Sequence, residues 1–423
     1  VVTNGKRTLT NSDADEMDGA WTFYVQPGMW TVIATKGVVE MRSTVYVDEV
    51  RTYSVKLLFE KIYGVEWDGT ESAAWARTDV SANFVDPSPA VGNGTGSSPF
   101  DELYPWAGMQ RSTDEYGNEV VSIPKFWYKW TRNGAKMKLQ IADYPADGFF
   151  VSPAHSDRGD GSGERDVVYV GRYHCNASGK SVTKVMPGVS VTTYNAQTKV
   201  QSNSKEYFLI DYQTYWTICM LYLVEFADWR NQLKIGYGCS PAGVTSPTQF
   251  LMGRTDAMKY HTGTDAVSRS TFGSTQYRHI EDLWGNVYDW IGNAFPSKYF
   301  NRLSCSCSPG TPHDSAAPST DAAVNASTSA GFIKNWSDNS TVTGMEFLIA
   351  PATVCEDNSY VRDYCEMGNI ATSAGNGRWG RLFFGGKAAR IFESGLFCLK
   401  GRNAGTSFSN VGFRLIRLPG YGA

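Results

Sequence analysis

The chain is poor in charge. Asp, Glu, Lys and Arg make up 19% of its 423 residues and leave a formal net charge of −3. That balance gives no general attraction to polyanions, so neither nucleic-acid binding nor docking on an anionic membrane is expected. Long hydrophobic runs are also lacking. The longest apolar-rich stretch, Tyr215 to Phe226, is too short to cross a bilayer and contains Glu225. No basic, apolar, cleavable leader stands before Val1, which predicts a soluble protein without membrane insertion, and the absent initiator Met suggests a fragment of a longer chain or a processed one.

Metal and redox signatures are missing too. The eight cysteines, Cys175, Cys219, Cys239, Cys305, Cys307, Cys355, Cys365 and Cys398, form no C-x-x-C unit, so neither a zinc site nor a small disulfide scaffold is indicated. Reduced thiols are the expectation for a protein made in the cytoplasm, with a Cys355–Cys365 bridge left open. The five histidines show no i, i+4 pair, which removes the support for metalloprotease chemistry. No Gly-x-Ser-x-Gly elbow and no phosphate-binding Gly-x-x-x-x-Gly-Lys-Ser/Thr loop occurs. The tract Asp157-Arg158-Gly159-Asp160-Gly161-Ser162-Gly163-Glu164-Arg165-Asp166 is rich in carboxylates, but it lacks the ligand spacing of a helix-loop-helix calcium site and reads as a solvated loop. No cofactor is expected.

What the chain has in quantity is glycine, tyrosine and tryptophan, at 42, 23 and 13 residues, a composition of turns and amphipathic rings. Residues 1–60 alternate in short stretches such as Trp21-Thr22-Phe23-Tyr24-Val25, Trp30-Thr31-Val32-Ile33-Ala34, Ser43-Thr44-Val45-Tyr46-Val47 and Tyr53-Ser54-Val55-Lys56-Leu57, each bounded by a turn signal such as Pro27-Gly28. They predict a small β-sandwich. The Pro-Gly-x-Trp-Thr-Val segment resembles the carboxypeptidase-regulatory type of β-module, an immunoglobulin-like arrangement being the alternative.

A second domain is expected over residues 61–423. Its clearest helix is Tyr212 to Leu233, where Tyr215, Cys219, Tyr222, Phe226 and Trp229 recur at three- and four-residue steps while Glu225 and Asp228 fall off the stripe. The Pro- and Gly-rich run from Asp86 to Pro99 predicts an internal loop. The polar stretch from Phe295 to Ser340 predicts a long surface excursion.

The segment from Lys387 to Asn410 follows no core-like period. Gly385-Gly386 precedes it, Gly395-Leu396-Phe397 interrupts it and Val411-Gly412-Phe413-Arg414-Leu415-Ile416-Arg417 closes it. Between these landmarks lie Lys387, Arg390, Phe392, Glu393, Lys400, Arg402, Asn403, Thr406, Phe408 and Asn410. Aromatic and Arg side chains of this kind anchor binding surfaces. The segment sums to +3, from Lys387, Arg390, Lys400 and Arg402 against Glu393, which would favour an anionic receptor. Glycines at 385, 386, 395 and 412 are expected where backbones turn tightly or approach closely.

Upstream, Glu281-Asp282-Leu283-Trp284-Gly285-Asn286-Val287-Tyr288-Asp289-Trp290, followed by Gly385-Gly386 and Gly412-Phe413-Arg414-Leu415, resembles the sulfatase-modifying, formylglycine-generating branch of the C-type lectin fold over about residues 100 to 418. The resemblance implies an α+β, C-type lectin-like domain behind the β-sandwich module. Those enzymes use a cysteine pair just after the Gly-Gly. Lys387 to Phe397 has no cysteine here, and the lone Cys398 reads as a small apolar residue. The fold is implied without the enzyme.

Phe384-Gly385-Gly386, Gly395-Leu396-Phe397-Cys398-Leu399, Asn403-Ala404, Ser407 and Asn410-Val411-Gly412-Phe413-Arg414, with Tyr360-Val361-Arg362-Asp363-Tyr364-Cys365 upstream, are similar to the C-terminal end of variable proteins of diversity-generating retroelements, especially those of phage tails. The resemblance implies a variable region over about residues 380–415 with Lys387, Ala389, Arg390, Phe392, Glu393, Lys400, Arg402, Asn403, Thr406, Phe408 and Asn410 as ligand-binding positions. Asn403 and Asn410 would be template-like residues, and Gly412 to Arg417 a buried supporting strand. It further implies a phage tail-fibre or tail-tip adhesin, on the virion or a bacterial cell surface. Its partners would be a host surface receptor, protein or glycan, and other virion tail proteins, with a homotrimer consistent with avidity. The rival readings are an oxidoreductase of the sulfatase-modifying type and a purely structural virion or cell-surface protein.

Overall fold

The computed structural model describes residues 2–4, 6, 8–10, 23–36, 39–49, 61–70, 72–240, 249–313, 316, 318–338, 345–356, 363–370, 378–386 and 393–422. The chain divides into two compact units, Val1–Lys61 and Ile62–Ala423.

In the first unit the described residues form one antiparallel sheet in the order Thr8–Leu9, Val2–Thr3, Gly28–Lys36, Val39–Val47. Its packed centre is Val2, Trp30 and Val47. The indole N–H of Trp30 donates to the Gln26 carbonyl at 2.8 Å, so the ring is buried without leaving a donor orphaned. Trp21, Thr22 and the expected strand at residues 53–57 lie outside the described residues.

The second unit corrects the expected α+β, C-type lectin-like class. Strand accounts for 36% of the structure and helix for 10%, and the described residues of this unit carry several separate sheets. The molecule is mostly β. Only one long segment has a sustained helical period; elsewhere the aromatic and β-branched residues stand in short runs between glycines, a pattern that fits a pleated surface.

The longest described helix, Tyr212–Phe226, runs through the core of this unit. Asp211 caps it, its carboxylate accepting the Thr214 N–H at 2.8 Å, and Ala227 ends it in the left-handed region at φ 50°. The expected amphipathic stripe is absent because every residue of the helix is buried, Glu225 included. A helix apolar on all sides belongs inside a core rather than on a surface. Glu225 is tolerated there because Arg278 donates to it at 2.5 and 3.1 Å. Around the helix, Trp216, Trp229, Trp336 and Phe397 form a ring cluster in which Trp229 stacks on Trp336 at 5.2 Å and meets Phe397 edge-on at 4.9 Å.

The stretch from Phe295 to Ser340 is not the surface excursion its polar composition suggested. Ala294–Ser297, Arg302–Cys305 and Ala322–Asn325 form a three-stranded antiparallel sheet, and Gly331–Asp338 joins the largest sheet. The strands are short and many of their residues are small, so little apolar periodicity marks them.

The largest sheet carries the C-terminal segment. We number its strands in chain order: β1 Tyr288–Trp290, β2 Gly331–Asp338, β3 Ile349–Cys355, β4 Tyr364–Glu366, β5 Gly380–Gly385, β6 Gly395–Asn403 and β7 Val411–Gly412. Their order across the sheet is β3-β2-β4-β6-β5-β1-β7. β5 and β6 form an antiparallel hairpin, while β4 runs parallel to β6 and β7 parallel to β1. One face packs on the central helix through Leu382, Phe384, Phe397 and Leu399. The other packs through Tyr288, Trp290, Phe383 and Cys398, with Tyr364 and Phe408 at its edge.

Candidate binding face

The β5–β6 hairpin is held by close backbone approaches. Gly385 and Gly386 adopt φ of 101° and 97°, and a Cβ on Gly385 would meet the Leu283 carbonyl oxygen at 2.6 Å. No other residue type fits this conformation and space without strain. A Cβ at Gly395 would collide with the Asp363 carboxylate. That carboxylate is buried and accepts the Phe397 N–H at 2.7 Å and the Asn231 side-chain N–H at 2.9 Å. Asn231 in turn accepts the Leu396 N–H at 3.1 Å. Burial pushes the Asp363 carboxyl up to about 8.

The Glu-Asp-Leu and Gly-Phe-Arg-Leu motifs meet beneath the same sheet. Arg414, fully buried, donates to Asp289 at 3.0 Å, to the Gly171 and Arg172 carbonyls at 2.8 and 3.0 Å, and to the Glu281 carbonyl at 2.8 Å. His174 Nδ1 lies 2.8 Å from the other oxygen of Asp289. Burial opposes ionisation of Asp289, but His174 and Arg414 outweigh it and hold the carboxyl below its ordinary range. The motifs therefore lock distant backbone segments together. The expected supporting strand from Gly412 to Arg417 is split: Val411–Gly412 joins the large sheet and Leu415–Arg417 a different one.

Of the sequence-predicted positions, Lys387, Ala389, Arg390 and Phe392 lie outside the described residues. Lys400 is buried and does not face solvent as a contact residue would. Its ammonium pairs with Glu393 at 2.7 Å and Glu366 at 3.5 Å and lies 5.6 Å from the Tyr288 ring and 5.0 Å from the Tyr364 ring. Burial alone would lower its pKa, but Tyr288, Cys398 and Glu393 outweigh it and push the value up. Arg402 pairs with Glu366 at 3.1 Å and reaches over the Phe383 ring at 5.9 Å while staying partly exposed.

The expected local charge of +3 is thus not carried by the described part of the segment. Lys400 and Arg402 are offset by Glu393 and Glu366, two cations against two carboxylates. Sequence reading assigned Glu366 no role because it acts from β4, far along the chain. Its one signal was that it closely follows the segment Tyr360 to Cys365.

Beyond β6 the chain forms a pinned loop. Thr406 Oγ1 donates to the Asn403 carbonyl at 2.6 Å, Gln249 donates to the Ser409 carbonyl at 2.6 Å, and Ser190 N–H donates to the Phe408 carbonyl at 3.0 Å. The Asn410 carbonyl accepts the Tyr288 N–H at 3.1 Å. Asn403 is exposed, whereas Thr406, Phe408 and Asn410 are half-buried, and the Phe408 ring sits 6.5 Å from Phe383. Side chains are thus offered to solvent from a backbone whose own hydrogen bonds fix it.

Cys398 is buried, and burial pushes its thiol up, the opposite of what a nucleophile needs. Cys355 and Cys365 are not joined: they stand opposite Phe332 and Gly331 on different sides of β2. In the Asp157–Asp166 tract, Asp160 pairs with Arg165 at 2.6 Å, Asp166 with Lys125 at 2.6 Å, and Asp157 accepts the Gly159 N–H at 2.8 Å. No cluster of three or more metal-ligating side chains occurs among the described residues, and no described helix is long and apolar enough to cross a membrane.

No family model matches the chain, and no curated protein matches it. Among solved structures it superposes on Treponema denticola variable protein 1 at 10% identity and a TM-score of 0.27, over 73% of this chain and 99% of that one. So loose a superposition carries no argument.

Proposed function

We propose that this chain is a ligand-binding protein, without catalysis of its own, whose contact surface is formed by the ends of the β5–β6 hairpin and the loop after it. Arg402, Asn403, Thr406, Phe408 and Asn410 would touch the ligand together with Lys387, Ala389, Arg390 and Phe392, while Lys400 and Glu393 brace the surface from below. The observation that carries this reading is the contrast between a fixed frame and a varied set of side chains. Gly385, Gly386, Gly395, Asp363 and Arg414 are each held by close packing or hydrogen bonds, whereas Asn403, Thr406, Phe408 and Asn410 reach at least partly into solvent. Substitutions at the second group would leave the first in place, which is what a replaceable binding surface requires.

In its more specific form the protein is a receptor-binding protein of a phage tail or bacterial cell surface, diversified by a retroelement. Its partner would be a host surface receptor, and it would assemble with other tail proteins. Alanine replacement of Phe408 and of Arg402, read by adsorption to host cells, tests the binding claim. A near-copy of the codons for residues 380–415, differing where the copy has adenine and lying near a reverse transcriptase gene, tests diversification. Finding no such copy removes the diversification and leaves the binding claim standing.

A further inference from the structure

A second surface adjoins the Asn403 end of this face. Trp379 directly precedes Gly380, which pairs with Asn403 across the hairpin. The turn after Ala294–Ser297 is tied to it, Ser297 Oγ donating to the Arg378 carbonyl at 2.7 Å. The Arg378 guanidinium lies 4.1 Å from the Tyr299 ring centre and 6.0 Å from that of Phe300, with Arg302 5.0 Å over Phe300. Phe300 in turn packs on Trp379 at 5.3 Å. Tyr299 is 48% exposed, Arg302 is exposed and Arg378 is half-buried.

Most buried or half-buried arginines of this fold meet a carboxylate, as Arg158 meets Asp211, Arg278 Glu225 and Arg414 Asp289. Among the described residues Arg302 and Arg378 meet none, and the Arg378 Nε finds no hydrogen-bond partner there. The two described segments that build the patch, residues 294–304 and 378–381, contain Lys298, Arg302, Arg378 and Arg381 and no Asp or Glu. A cation held on aromatic faces keeps its N–H edges for an acceptor.

We propose that this patch docks an acidic segment of a partner protein, its Asp or Glu carboxylates meeting Arg302 and Arg378. The inference extends the binding reading above and rests on it in treating the two neighbouring surfaces as one interface. An acidic peptide is favoured over a sugar because guanidinium groups already cover faces of Tyr299 and Phe300, leaving less ring surface for stacking, while forked donors suit carboxylates. Arg, Tyr and Trp are also the side chains that dominate protein interfaces.

The test is binding of the full chain to immobilised poly-L-glutamate, with a sulfated oligosaccharide and neutral dextran as parallel probes. The chain's own net charge of −3 disfavours such binding unless a local site supports it. Expected are salt-sensitive binding to poly-L-glutamate, a loss of at least about tenfold in Arg302→Glu/Arg378→Glu, and a smaller loss in Tyr299→Ala, which removes the platform under Arg378 without changing charge. If the double variant does not fold, Arg302→Gln at its exposed position carries the test, loss of binding supporting the proposal and unchanged binding overturning it. Equal binding by parent and variants, or no binding by the parent, overturns it. So does a loss confined to the sulfated sugar. None of these results bears on adsorption through Phe408, so failure here is distinguishable from failure of the binding reading.

Discussion

Gly385 and Asp363 are the residues on which the frame depends, and each gives a sharp expectation. Gly385→Ala places a Cβ against the Leu283 carbonyl at a φ of 101°. It is expected to destabilise the chain by about 1–3 kcal/mol in chemical denaturation. Asp363 has a folded pKa of about 8 against about 3.9 for an unfolded Asp. Because the folded state holds the proton more tightly, the stabilisation is complete below about pH 4 and is lost as pH rises toward and through about 8. Asp363→Asn should therefore flatten the fall in stability between those limits, and parent and variant should show parallel pH profiles outside them. The need for glycine at 385, 386 and 395 was legible in the sequence, since these residues interrupt apolar runs. The burial of Lys400 was not, because its partners Glu393 and Glu366 come together only when β4 and β6 pair.

At the scale of elements, the central helix was legible from the spacing of Tyr215, Cys219, Tyr222 and Phe226, but not its end. The apolar spacing runs on to Trp229, whereas the helix stops at Phe226 because Ala227 turns left-handed without a Gly or Pro to announce it. The helix start combines a cap with a buried ion pair: Asp211 accepts the Thr214 N–H with one oxygen and meets Arg158 with the other at 2.8 Å, both side chains fully buried. Asp211→Ala is expected to cost about 3–5 kcal/mol, more than the roughly 1 kcal/mol of a lost cap, because it strands the Arg158 charge. Adding Arg158→Met should recover part of that loss in a denaturation double-mutant cycle. The strands between Ala294 and Asp338 were missed because they are short and mix small or polar residues with few large apolar ones, so neither period stood out.

For the whole molecule, abundant glycine and aromatic residues with little charge left a mostly β and an α+β chain both open. The motifs then suggested an α+β lectin-like architecture that the strand and helix content does not support. The same motifs nonetheless marked real structure, since Asp289 and Arg414 meet at 3.0 Å across 125 positions of sequence. The central claim is that a fixed frame presents a contact surface. It is tested most directly by adsorption of the 423-residue chain to host cells, comparing parent, Phe408→Ala and Arg402→Ala, with thermal unfolding measured alongside. The account predicts that adsorption falls at least about tenfold in each variant while the unfolding midpoint shifts little. Adsorption equal to that of the parent in both variants, with folding intact, would contradict it.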